Sequence, residues 1–267
     1  MSRGKDLLPE YSHELFDSSA IALCLVQVKY PPVPRFVDLD VQGALKEALA
    51  EDYPIYVTEP SFNIVVTPQG INQTSGGDVF RFTTLDKRWS VVVGNEAVGL
   101  ETREYSEIDE LIARFTVILG HVSAHLKLRH QLRFGLRYVN EFRHPQGDRF
   151  ERWRQLLNRD LLGLAAQDVL GGAIEQTVNE LRTRRADGTL LVRHGFLNGT
   201  TVLPGSNIPS KGGPFYLLDL DYYIEAPMSF DAKPAARMRD YNSFMYRVFR
   251  WAVGDGDLYR LLKGTDQ

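Results

Sequence analysis

Residues Leu132–Asn140, LRFGLRYVN, alternate between two chemistries. Leu132, Phe134, Leu136 and Tyr138 fall on one side and Arg133, Gly135 and Arg137 on the other, the two-residue period of a half-buried strand. Two arginines four residues apart on one sheet face mark that face as the first place to look for chemistry. A second run, Pro214–Ala226 (PFYLLDLDYYIEA), has the matching pattern. Tyr216, Leu218, Leu220, Tyr222 and Ile224 share one face, while Asp219, Asp221 and Glu225 share the other with Phe215, Leu217 and Tyr223. Arginines on one strand and carboxylates on another predict a charge network across the sheet.

Working outward, Ile21–Tyr30 reads as a strand and Asp38–Tyr53 as a short helix. Stretches 61–69, 78–86 and 88–102 then read as strands, with breaks expected at Pro68-Gln69-Gly70 and Ser75-Gly76-Gly77. From Ser106 the period changes to that of an amphipathic helix running to Leu126, opened by a capping-box-like SEID. The order then repeats. Residues 131–144 read as a strand, 148–164 as a helix, 173–185, 189–198 and 214–226 as strands, and Pro234 to about Leu262 as a final helix with Met238, Tyr241, Met245, Val248 and Phe249 on one face. The expected fold is therefore α+β: two similar strand–helix–meander–helix halves, residues 1–126 and 127–267, tightly joined, with antiparallel sheets and long helices on one face. An internal duplication is expected on this pattern.

Composition sets bounds on function. The 267 residues are 43% hydrophobic and 24% charged, with a net charge of −3, and the pI near 6.1 argues against a dedicated nucleic-acid binder. The charge is uneven: residues 1–126 are net acidic and 127–193 net basic, a polarity that suits holding the halves to each other. No apolar run approaches the roughly 18 residues of a membrane span. The polar N-terminus lacks a secretory h-region, so a cytoplasmic location is expected, with no membrane partner. Cys24 is the single cysteine, which excludes an internal disulfide and a cysteine zinc cluster.

Signatures of chemistry are sparse. His121 and His125 stand four apart, yet Val122 occupies the position where a zinc protease needs glutamate. The glycine pairs at 76–77, 171–172 and 212–213 lack phosphate-loop context, and no serine or cysteine is placed by sequence beside a base. Asp219 and Asp221 supply two oxygen ligands without a third acidic group fixed nearby. No metal and no cofactor is expected. Aromatic and basic residues interleave at 142–155 and 246–251, where core packing is the simpler explanation.

The chain resembles a sporadically distributed bacterial family of uncharacterised proteins. The resemblance rests on VKYPPVP after the first strand, on FRF followed by Trp-Ser-Val-Val, on GLRYVN after a long helix, and on LLDLDYY before the aromatic helix YNSFMYRVFRWAV. It implies a lineage traded between genomes, and hence the class of mobile defence or toxin–antitoxin components. The function expected is that of a non-enzymatic binding or interaction protein with a protein partner encoded nearby. The alternatives are an enzyme acting on a phosphorylated or nucleotide-like ligand held by an arginine-lined sheet face, and a nucleic-acid-binding protein. The candidate ligand or partner residues are Arg133, Arg137, Arg193, Asp219 and Asp221, with Arg182 as a further arginine for the groove. A structural reading competes, in which these charges pair internally and keep the halves in register.

Overall fold

A computed structural model describes residues 7–67, 70–167, 169, 171–199, 212–231 and 233–265, with the side chains of 61–76 left out. Nine strands form one antiparallel sheet: β1 (Ile21–Lys29), β2 (Ile55–Thr67), β3 (Gly70–Thr83), β4 (Trp89–Val93), β5 (Ala97–Thr102), β6 (His130–Phe142), β7 (Asn179–Arg184), β8 (Thr189–Asn198) and β9 (Pro214–Ser229). Their order is β2-β3-β4-β5-β1-β6-β9-β8-β7. The helices are α1 (Leu39–Leu49), α2 (Ile108–Leu126), α3 (Phe150–Leu156), α4 (Arg159–Leu162), α5 (Ala235–Val253) and α6 (Asp257–Leu262).

The fold is α+β, and the two halves share one sheet. β1 and β6 lie side by side at its centre. From β1 the chain crosses through α1 to the β2 edge, then returns by the meander β2 to β5, whose last strand pairs with β1. From β6 it crosses through α3 and α4 to the β7 edge and returns by β7 to β9, whose last strand pairs with β6. α2 and α5 follow the two meanders. The connection order is thus common to both halves, although the second has one strand fewer. Common order does not by itself establish a duplication.

Alternation decides which face is covered. Val26, Val28, Val91, Leu100, Phe134, Leu136, Leu218 and Leu220 join residues of all six helices in one buried cluster spanning both halves. Leu111, Phe115, Leu119 and Val122 of α2 and Tyr241, Met245 and Val248 of α5 are buried in it, as their spacing predicts. The opposite face holds only a small cluster of strand residues, Leu23, Val139, Leu197, Phe215 and Leu217. Among the described residues no helix contributes to that cluster.

Several boundaries differ from the sequence reading, each for an identifiable structural reason. A bulge between Gln131 and Arg133 turns Gln131 fully inward and leaves Leu132 exposed, so the apolar alternation starts at Phe134. Ser75–Gly77 does not break the chain, because β3 runs through it with a register shift against Ser61–Phe62. Pro68 and Gln69 lie outside the described residues. Stretch 88–102 divides into β4 and β5 around Gly94, whose N–H donates to the Ala97 carbonyl. The expected strand 173–185 is regular only over β7, an exposed edge whose Glu180, Arg182 and Arg184 discourage pairing with other chains. The helix over 148–164 breaks at Asn158, which donates to the Ala252 and Trp251 carbonyls near the end of α5 and caps α4. α2 starts at Ile108 with Glu107 as its cap, while the Ser106 hydroxyl donates to Glu110 instead.

Candidate functional site

The five candidate residues converge on the helix-free face. Arg137 of β6 donates to Asp219 of β9 through Nε at 2.7 Å and Nη2 at 2.8 Å. Asp219 is 1% exposed and the Arg137 side chain 11%. Arg193 of β8 donates to the same carboxylate at 3.4 Å and to Glu180 of β7 at 2.9 Å. Arg133 takes a diagonal course. Its Nη2 donates to Asp221 at 2.9 and 3.0 Å and its Nη1 to Gln27 of β1 at 3.4 Å, while the guanidinium lies 4.5 Å from the Tyr223 ring centre. Arg182 stands apart on the edge, 3.8 Å from Glu180.

Gly135 makes the Arg133 course geometrically available. A Cβ there would sit 2.6 Å from Arg133 Nη1, so the guanidinium occupies the space that any other residue would fill. Around it opens a depression of about 360 Å³ whose lining includes Leu25, Gln27, Lys29, Leu191, Tyr223 and Glu225. Lys29, Arg133 and Glu225 form one row across three strands. Lys29 and Glu225 are exposed, and neither has an ion-pair partner among the described residues. The sequence reading placed Glu225 on this face but did not select it. It also missed Lys29 and Gln27, whose signal was the same odd-numbered alternation in β1.

Burial and charge pairing oppose each other at Arg137 and at Asp221. Burial works against the Arg137 charge, but the hydrogen bonds and charge of Asp219 more than offset it, so the Arg137 pKa stands above the ordinary arginine value. Burial pushes the Asp221 carboxyl up, outweighing the pull of Arg133 and Arg137. The donors of Arg137 and Arg133 therefore point at carboxylates already in place, and a phosphate group would have to displace them.

On the helix-free face, among the described residues, the ion pairs do not join the halves. Arg137, Arg133 and Arg193 pair within β6 to β9, and in the other half Arg81 pairs with Glu59 and Glu101. On this face the link between halves is the Arg133–Gln27 hydrogen bond, while the β1–β6 ladder and the shared core hold the register. Among the described residues no group of three or more His, Cys, Asp or Glu is placed to hold a metal. No described helix is long and apolar enough to cross a membrane.

Fold and site together define an α+β protein with a single nine-stranded antiparallel sheet, helices on one face and an ion-paired polar surface on the other. No protein-family model, curated protein or solved structure matches the chain.

Proposed function

We propose that this is a non-enzymatic binding protein that presents the helix-free face of its sheet to a macromolecular partner. The observation that carries the reading is the state of the charges on that face. Arg137, Arg133, Arg193, Asp219 and Asp221 are held in mutual pairs, while Lys29 and Glu225 stand beside them exposed and without ion-pair partners among the described residues. A surface whose inner charges are fixed, with Lys29 and Glu225 left open beside them, is preorganised for complementary contacts. The family resemblance adds the class of a mobile defence or toxin–antitoxin component, in which the partner is encoded beside the gene.

The depression favours a second reading, an enzyme or receptor for a phosphorylated or nucleotide-like ligand. Against it stand the carboxylates already on Arg133 and Arg137. Affinity purification from the native host, with neighbouring gene products present, tests the first reading. A protein partner should be recovered at about 0.1 M salt and diminished at high salt, because exposed charges are screened over about 10 Å at 0.1 M. Recovery of a nucleotide, and of no protein, would replace it by the second. A salt-dependent gel shift on DNA or RNA would replace both.

A further inference from the structure

The helix side of the molecule carries a separate, partly open cavity of about 120 Å³, bounded by the segment before β1, by β6, by Tyr105 and Ser106 ahead of α2, and by α5. We infer that it is a binding site for a small uncharged molecule of single-ring size carrying one carbonyl oxygen. Its walls include Phe16, Ile21, Leu220, Met245, Phe249 and Leu262. An apolar cavity of about 150 Å³ stays dry and accepts benzene, so this volume suits one ring or a short branched chain.

One end of the cavity is polar. Tyr138 Oη donates to Asn242 Oδ1 at 2.8 Å and lies 3.2 Å from Tyr105 Oη. With its oxygen placed toward Tyr138, the half-buried Asn242 has an amide NH2 without a protein acceptor among the described residues. That NH2, at the end of an apolar space, can donate to a ligand oxygen in place of water. The charged groups near the cavity disfavour an anion: the ionisable lining residues are His13, Glu14 and the tyrosines, and the Lys263 ammonium that approaches Glu14 is engaged by it at 3.3 Å.

The outer wall is a strap. Residues 7–20 have no regular helix or strand, and polar contacts tie them to α5 and α6. Tyr246 Oη donates to the Ser12 carbonyl at 3.2 Å and accepts from Glu14 N–H at 3.0 Å, while Tyr259 Oη donates to Glu14 at 2.6 Å and Arg247 to the Pro9 carbonyl at 3.0 Å. Phe16 is its main apolar anchor, edge-on to Phe249 and Tyr259. The strap's tie to the sheet is at its end, where the Ala20 carbonyl accepts from Glu141 N–H of β6 at 2.8 Å. The residues before it can therefore lift without opening the ladder, and a molecule seated inside holds them down.

Three probes of similar size test the assignment by calorimetry and by hydrogen exchange of residues 7–20: acetophenone, benzoate and ethylbenzene. Acetophenone should bind the full-length protein with Kd of about 1 mM or tighter and slow exchange in the strap. Benzoate should bind at least about tenfold more weakly, because its charge would enter the cavity unpaired. Asn242→Leu should weaken acetophenone by about fivefold to tenfold, the worth of one hydrogen bond, and leave ethylbenzene unchanged. Ala20→Leu, which fills the cavity from the strap side and spares the polar end, should abolish binding of both neutral probes. Absence of acetophenone binding, binding that survives Ala20→Leu, or equal binding of benzoate would overturn the inference. Neither substitution touches the helix-free face, so partner recovery through that face remains a separate result.

Discussion

Asp219 accepts from two arginines on two neighbouring strands, while Asp221 answers one. Removing the Asp219 charge leaves Arg137 nearly buried without its hydrogen-bonded carboxylate, Asp221 remaining as a nearby charge, so Asp219→Asn should cost about 3 kcal/mol in urea denaturation. Asp221→Asn should cost less. Burial already disfavours the Asp221 charge, and Arg133 keeps its stacking on Tyr223. Equal costs would argue that the two pairs are equivalent. His194 supplies a pH dependence: burial lowers its pKa to about 4, and Nδ1 lies 2.8 Å from Tyr216 Oη. Between pH 6.5 and about 4 the unfolded chain binds a proton that the folded chain refuses. The contribution is therefore full above pH 6.5 and is lost as pH falls toward 4, by up to about 3 kcal/mol. His194→Gln should flatten that slope relative to the parent protein, measured by urea midpoints at pH 7 and pH 5. The arginine–aspartate face was legible from alternation alone. The particular partners were not, because Arg133 reaches diagonally across Gly135, and nothing in a glycine between two arginines says which way the longer side chain will fold.

At the scale of elements, the sequence patterns located strands well where one face is buried and poorly where packing geometry sets the boundary. The β6 bulge, the Asn158 break and the strand through Ser75–Gly77 all arise from backbone hydrogen bonds to partners distant in the chain, which a local window does not contain. Gly195 is a further instance. A Cβ on it would fall 1.9 Å from the Thr177 carbonyl oxygen, where the chain bends into β7 against β8. Phe196 and Thr177 exchange hydrogen bonds beside it, the Phe196 N–H donating to the Thr177 hydroxyl at 2.9 Å. Gly195→Ala must move backbone, and should destabilise by about 1–3 kcal/mol or more. Gly135→Ala meets only the flexible end of Arg133. It should cost less, while freeing Arg133 from Asp221 and Gln27. Comparing the two denaturation midpoints checks both, and the opposite ranking would contradict the packing described.

For the whole molecule, the central β1–β6 ladder and the single core predict one cooperative unfolding transition, the same by far-ultraviolet circular dichroism and by tryptophan fluorescence. Two pairs on the helix side, the exposed Arg239–Asp109 at 2.7 Å and the half-buried Lys263–Glu14 at 3.3 Å, cross between the halves, but access to solvent limits their worth. The shared connection order supports the proposal of a duplication about an axis between β1 and β6. Superposing β1, β5 and β4 on β6, β9 and β8 with α2 on α5 checks it, and helices that fall out of register would count against it. The helix-free face is the partner surface proposed for this architecture, and it is tested most directly by exchanging Lys29 and Glu225. Lys29→Glu combined with Glu225→Lys keeps net charge constant and leaves the inner pairs intact, while reversing the order of signs along the row through Arg133. If this face binds the partner, co-purification from the native host should recover a stoichiometric protein with the parent chain and lose it, or most of it, with the exchanged variant. Equal recovery with both chains would contradict the account.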